Sequence, residues 1–290
     1  MKVAAISVQG RRFVARIDDQ TGMAFPFDLP EAGADHGVIA LLDQKTPART
    51  LPGIKLEDVK LLAPIPRPAR NIFCVGKNYY EHAHEFARSG FDSSAGAGAV
   101  PKHPIIFSKV PETVIAPGDD VLIDPAVSSA IDYEAELAVI IGRAGRGISK
   151  ENAFDHIWGY TIINDVTARD MQSRYSQWLI GKSQDTFCPM GPWVVTKDSF
   201  DPETASVRCF VNDEVRQNAK VSDMIFDIPT IISVLSEGLT LKPGDVIATG
   251  TPPGVGIGFT PPRYIKAGDT VRVEIDGIGA LQNSFRNMSS

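Results

Sequence analysis

The segment Asp132-Tyr133-Glu134-Ala135-Glu136-Leu137-Ala138-Val139-Ile140 places two glutamates two residues apart inside an apolar run. Side chains alternate along a strand, so Glu134 and Glu136 are expected on one face. Adjacent carboxylates repel unless a cation or protons neutralise them, and a hard divalent ion with oxygen ligands does this directly. From this segment alone an exposed, acid-bearing sheet face is the competing reading. A third carboxylate, Asp165, closes the apolar run Trp158-Gly159-Tyr160-Thr161-Ile162-Ile163-Asn164 and leads into Val166-Thr167-Ala168-Arg169-Asp170-Met171-Gln172. There it would either close on a site at the strand's end or cap the following turn. Arg169 and Gln172, three apart, share a face if that turn is helical.

Three further segments carry polar groups suited to catalysis or binding. In Tyr79-Tyr80-Glu81-His82-Ala83-His84-Glu85, His82 and Glu85 meet at helical spacing. A carboxylate beside an imidazole fixes its tautomer and prepares a general base that draws a proton from water. Ordinary polar pairing on a surface helix is the alternative, and this is not a His-Glu-x-x-His zinc motif. Lys182 sits in the constrained stretch Gly181-Lys182-Ser183-Gln184-Asp185-Thr186-Phe187-Cys188-Pro189-Met190-Gly191-Pro192, where a lysine can polarise a carbonyl or hold a carboxylate, or simply be solvated. Thr249-Gly250-Thr251-Pro252-Pro253-Gly254-Val255-Gly256 follows the strand Val246-Ile247-Ala248, and its small residues let backbone approach a ligand closely. It is not a dinucleotide fingerprint, because the glycine spacing and the surrounding βαβ unit are both missing.

The elements that must position these groups are mostly strands. Residues 1–66 read as a small β-rich unit, with strand–turn–strand over Val3 to Ile17 and a short helix near Ala40-Leu41-Leu42. The stiff segment Ala63-Pro64-Ile65-Pro66-Arg67-Pro68 marks the expected boundary with a catalytic domain, 67–290. Strands are then expected over Asn71–Val75, Pro104–Lys109, Asp132–Gly142, Trp158–Asn164 and Trp193–Thr196, followed by Ser206–Asn212, Asp245–Thr249 and Thr270–Ile275. Helices are expected over Tyr79–Phe86 and over Ile228–Ser236, the latter with Pro229 in its first turn. Residues 89–104, rich in Gly, Ser and Ala, read as a mobile loop. The pattern lacks the regular alternation of a doubly wound sheet and gives an α+β class.

Bulk properties narrow the partners. With 290 residues and 43% hydrophobic content the chain can bury a sizeable core. A net charge of -6 argues against nucleic acid or an anionic membrane as partner. The cysteines Cys74, Cys188 and Cys209 are odd in number and widely spaced, which suits free thiols in a reducing, cytoplasmic setting. The start alternates like a strand rather than a secretion signal, and no apolar run is long enough to span a bilayer.

Taken in order, VGKNYYEH, DYEAELAVIIG, INDVTARDMQ, GKSQDTFCPMGP, MIFDIPTIISVLS and LKPGDVIATGTPPGVG resemble the fumarylacetoacetate hydrolase family, from about Arg70 to Phe285. The extra N-terminal unit is similar to the small domain of bacterial members. The resemblance implies a strand-dominated mixed β-sheet rolled into a barrel-like sandwich. It makes Glu134, Glu136 and Asp165 ligands of magnesium, with manganese or calcium as alternatives. His82 and Glu85 become a base dyad on a lid helix, Lys182 faces the substrate, and Arg169, Gln172 and Thr251 hold its oxo-acid end. A larger eukaryotic branch carries a further ligating aspartate, for which Val75-Gly76-Lys77-Asn78 offers no carboxylate. The resemblance also implies a homodimer.

The implied activity is hydrolysis of a C–C bond in a ketonic substrate, an acylpyruvate-type 2,4-dioxo acid, through a metal-bound enolate. Oxaloacetate decarboxylation or hydroxymuconate-type isomerisation at the same site is the alternative, and non-catalytic binding of a 2-oxo acid is a third possibility. The loop 89–104 with Arg174, Tyr175 and Trp178 is expected around the distal part of the substrate.

Overall fold

A computed structural model describes residues 1–42, 44, 48–88 and 100–288. Most of the expected mobile loop, residues 89–99, lies outside the described residues. The elements needed below are the strands β1 (Lys2–Val8), β2 (Arg11–Asp18), β3 (Ile72–Gly76), β4 (Ile105–Lys109), β5 (Ala135–Ile141), β6 (Ile157–Asn164), β7 (Cys188–Thr196) and β8 (Val246–Ala248). The helices are α1 (Tyr80–Arg88), α2 (Arg169–Arg174), α3 (Leu179–Lys182) and α4 (Ile228–Gly238).

Among the described residues twelve strands join one mixed sheet. Its path runs from Ile54–Lys55 and Met23–Pro26 through β2, β1, β7, β6, β5, β8 and β3 to β4. Pairing is antiparallel except between β8 and β3 on this path. The N-terminal strands extend the sheet directly, because β1 pairs with β7 at Lys2↔Val195 and Val3↔Val194. A second sheet of five strands contains Glu214–Lys220, Ser206–Val211, Thr270–Ile275, Gly279–Asn287 and Val121–Ile123. With so few helices the fold is α+β and strand-dominated, as the residue pattern indicates.

The reason for the middle of the large sheet is visible in β5. All seven of its residues are buried, and it is flanked by β6 on one side and β8 on the other. A central strand covered on both faces needs a near-continuous apolar run, which Leu137-Ala138-Val139-Ile140-Ile141 supplies. The glutamates are therefore exceptions that something must compensate. The polar strand Glu214–Lys220 went unread because its solvent-facing residues dilute the apolar period; it pairs antiparallel with Ser206–Val211. Ala40 and Leu41 lie in a 3-10 turn, Gly37–Leu41. Helix α4 starts where expected: Asp227 caps it by accepting from Thr230 N at 2.8 Å, with Pro229 in the first turn.

Candidate active site

Glu134, Glu136 and Asp165 converge: each offers a carboxylate oxygen, and these oxygens lie within 4.8 Å of one another. Glu136 is inside β5 and Glu134 stands one residue before it. Asp165 follows the last residue of β6, and the two strand ends are clamped together. Asp165 N donates to Glu134 O at 2.8 Å, and Glu134 N donates to Asn164 Oδ1 at 3.1 Å. Asp165 is no helix cap, since α2 begins four residues later with Ala168 at its N-cap.

All three carboxylates are buried, so their charges need partners. Lys182 Nζ donates to Glu134 Oε2 at 2.7 Å and to Asp165 Oδ2 at 2.8 Å. Arg169 Nη1 lies 2.7 Å from Glu134 Oε1. Burial pushes the Glu134 carboxyl up, but Lys182 and Arg169 outweigh it and hold the group down at about 2. The same partners work in reverse on Lys182: burial pulls its ammonium down, and Asp165 and Glu134 override that and raise it.

Glu136 differs. Its Oε2 accepts from Gly250 N at 2.9 Å, but burial, then Asp165 and Glu134, push its carboxyl well above the usual range. A buried carboxylate raised in this way, among hard oxygen donors, suits a divalent cation. The donor set therefore fits the metal that the residue pattern implies.

Arg169 and Gln172 share the face expected of them, with Arg169 Nη1 donating to Gln172 Oε1 at 3.1 Å. Arg169 Nε donates to Asp132 Oδ2 at 2.8 Å, while its Nη2 is buried with no acceptor among the described residues. That orphan N–H points to an acceptor supplied by a ligand. Thr251 Oγ1 accepts from Gln217 Nε2 at 2.8 Å, which leaves its own O–H free to donate.

His82 Nδ1 lies 3.2 Å from Glu85 Oε2 on α1. An ionised carboxylate only accepts, so Nδ1 carries the proton and Nε2 is the basic atom. Glu85 is anchored in turn by Gly254 N, at 3.1 and 3.2 Å from its two oxygens. A Cβ on Gly258 would overlap the Glu85 carboxylate, so the glycine is what lets α1 dock there. His84, by contrast, has no place in the cavity lining.

These groups line one cavity: His82, Glu134, Glu136, Arg169, Gln172, Lys182 and Thr251, with Lys77 and the apolar Phe86, Phe107 and Trp178. It is small, about 10 Å³, the room of about one water molecule. Any acid substrate therefore requires α1 or a neighbouring segment to give way. Trp178 is in the lining as expected; Arg174 and Tyr175 are exposed and outside it.

Four further contributors carry little or no signal in the sequence. Lys109, fully buried at the end of β4, donates to Asp165 Oδ1 at 2.7 Å and to Val166 O at 3.1 Å. Asp132 holds Arg169 and accepts from Gly256 N at 2.6 Å and Ile257 N at 3.0 Å, linking the arginine to the loop under α1. Gln217 orients Thr251, and Lys77 enters the lining from the end of β3. Only Asp132, beside the Glu-x-Glu, had a sequence signal. Cys74 is buried, and burial, then Asp165 and Glu136, push its thiol up, in keeping with a core residue. Among the described residues no helix is long and apolar enough to cross a membrane.

The chain is similar to known proteins in both sequence and fold. The family model described as fumarylacetoacetate (FAA) hydrolase C-terminal matches residues 71–286. Oxaloacetate tautomerase YisK of Bacillus subtilis (strain 168) is 53% identical over 231 residues, 79% of this chain and 74% of that protein. The mitochondrial oxaloacetate tautomerase fahd2 of Xenopus laevis is 46% identical over 229 residues, 78% of this chain and 68% of that protein. A solved fumarylacetoacetate hydrolase from the psychrophilic Exiguobacterium antarcticum superposes with TM-score 0.86 at 38% identity, over 99% of this chain and 100% of that one. The chain belongs to the fumarylacetoacetate hydrolase family.

Proposed function

We propose that this chain is a divalent-metal-dependent enzyme that interconverts the keto and enol forms of oxaloacetate or a closely similar 2-oxo acid. The observation that carries the reading is that one small cavity is lined by a proton-transfer group, His82, by Glu134 and Glu136 and by Arg169 and Lys182, with the Asp165 carboxylate clustered with the two glutamates behind that lining. Tautomerisation needs a proton moved between C3 and the 2-oxygen, and a stabiliser for the charge that builds on that oxygen. It needs no attacking water and releases no second fragment, so these groups suffice for the whole reaction. The similarity to proteins named oxaloacetate tautomerases supports the same choice.

Glu134, Glu136 and Asp165 would hold the ion, with magnesium expected and manganese or calcium compatible with the same donors. When bound, a divalent ion there supplies Lewis-acid polarisation of the 2-oxo group. Arg169 Nη2, the orphan donor, and the Thr251 O–H bind the oxo-acid end and fix its orientation. Lys182 helps keep Glu134 ionised and ties it to Asp165 by donating to both. His82 Nε2 takes a proton from C3 of the keto form, and Glu85 balances the imidazolium. The proton returns to the 2-oxygen, so the net change is isomerisation with no reagent consumed.

A second reading is C–C hydrolysis of an acylpyruvate, favoured by the same His82–Glu85 pair, which also suits the activation of water. Decarboxylation of oxaloacetate and isomerisation of a hydroxymuconate-type acid begin from the same carbanion-stabilising arrangement. The test follows the ultraviolet absorbance of enol-oxaloacetate with magnesium and again after EDTA, beside carbon dioxide release and the absorbance of acetylpyruvate. Metal-dependent relaxation without carbon dioxide supports tautomerisation. Decay of acetylpyruvate with no effect on enol-oxaloacetate overturns it in favour of hydrolysis.

A further inference from the structure

The loop that fastens the base dyad of α1 is gripped by two consecutive residues, Asp132 and Tyr133, placed directly before Glu134. Asp132 Oδ1 accepts from Gly256 N at 2.6 Å and its Oδ2 from Ile257 N at 3.0 Å. Tyr133 is fully buried, and its hydroxyl donates to Gly254 O at 2.8 Å. A buried tyrosine hydroxyl needs an acceptor, and many carbonyls would serve. Here the acceptor belongs to the residue whose own N–H meets both oxygens of Glu85, at 3.1 and 3.2 Å. Gly254 is left-handed at φ 99°, and a Cβ there would run into the Arg216 carbonyl, so the position requires glycine. Glycine has the freest backbone, and its N–H keeps one direction only where its neighbours hold it.

The contacts run in one line, from the Tyr133 hydroxyl to Gly254, from Gly254 N–H to Glu85, and from Glu85 Oε2 to His82 Nδ1 at 3.2 Å. Tyr133 is not part of the cavity lining, so any effect it has on the reaction passes through these neighbours. From this we infer that Tyr133 is a positioning residue for proton transfer: its hydroxyl fixes Gly254, and Gly254 fixes the Glu85 carboxylate that holds His82 in its reactive tautomer and direction. Because Tyr133 immediately precedes Glu134, the base is set from the same stretch of backbone that carries the first carboxylate of the triad. A displacement of about 1 Å at a reacting group can cost about 100-fold in rate, which gives one buried hydroxyl leverage at this point. The inference deepens the proposed function and rests on its assignment of His82 as the proton-transfer group.

The test removes one oxygen: Tyr133→Phe keeps the buried ring and takes away the donor to Gly254 O. In the magnesium-loaded chain, kcat for enol-oxaloacetate relaxation should fall about 10-fold or more, with KM and the calorimetric magnesium affinity unchanged. In a Glu85→Ala background the same substitution should cost nothing further, because the group through which it acts is gone. Proton NMR supplies a readout that needs no turnover. The His82 Nδ1–H, held by Glu85 and assigned by its absence from His82→Gln, should give a downfield ring signal in wild type that exchange with water removes in Tyr133→Phe. An equal loss of kcat in both backgrounds, a fall in magnesium affinity matching the fall in kcat, or a ring signal that persists in Tyr133→Phe overturns the assignment. Loss of the signal in a chain that leaves enol-oxaloacetate untouched keeps the positioning role and removes the tautomerase reading. Turnover of enol-oxaloacetate with a kcat indifferent to Tyr133→Phe does the opposite.

Discussion

The two sides of the cavity are built on different principles. The carboxylate side sits on β5 and the end of β6, in the middle of the sheet, with hydrogen-bonded neighbours on both sides of β5. The acid–base side sits on α1, a helix of nine residues with His82, Ala83 and Phe86 buried. Its Glu85 is fastened by Gly254 N and by the clearance that Gly258 leaves. A metal centre needs ligands held within fractions of an ångström, which a central strand provides. A proton-transfer group in a nearly closed cavity must also admit substrate, and α1 buries three of its nine residues where β5 buries all seven.

This contrast can be broken from either side. The largest effect belongs to the carboxylate side: Lys182→Met leaves Glu134 and Asp165 buried beside each other without their shared ammonium. A loss of about 3–5 kcal/mol in the metal-free protein is expected, read by denaturant unfolding, with partial recovery on adding magnesium. Unchanged stability would mean that the ion pairs are not formed in solution. For catalysis, Glu136→Ala should lower turnover by about 1000-fold or more while raising metal-free stability, since it removes a carboxyl that its surroundings disfavour in charged form. Full activity in that variant would exclude Glu136 as a ligand.

The pH dependence follows from the same residue. The Glu136 carboxyl is raised in the folded chain, so its contribution to stability is complete below the ordinary carboxylate range and is lost as pH rises through the raised value. The gain in melting temperature of metal-free Glu136→Gln over wild type should therefore grow from mildly acidic to neutral pH. Glu134, held at about 2, acts oppositely: its contribution is present above the ordinary range and fades as pH falls toward 2. A gain that stays constant with pH would contradict this account of Glu136.

On the helix side, effects should appear in turnover rather than in folding. His82→Ala is expected to reduce kcat by about 100- to 10,000-fold with magnesium affinity intact, as calorimetry would show. Parallel loss of metal binding would mean that the two sides are not separate. The mildest change, Gly258→Ala, pushes the Glu85 carboxylate away from its seat. It should cost about 1 kcal/mol or less in stability while displacing Glu85 from His82 and lowering kcat by about 10-fold. No kinetic change would show that α1 tolerates a shifted dock.

Local spacing was enough to pair the candidate residues on each side separately. Period-two spacing put Glu134 and Glu136 on one face, period-three spacing paired His82 with Glu85 and Arg169 with Gln172, and the ordered motifs identified the family. All of these are local, and side-chain periodicity is a local property of the backbone. What only the tertiary structure decided is everything set by contacts far apart in the chain. Lys109 reaches Asp165 across 56 residues, Gln217 reaches Thr251 across 34, and Asp132 ties Arg169 to the loop beneath α1. A lone lysine, glutamine or aspartate in an apolar or turn segment has no period to reveal it. Its role arises only when packing buries it beside a charge it must neutralise or a donor it must satisfy, and that neighbour is chosen by the fold.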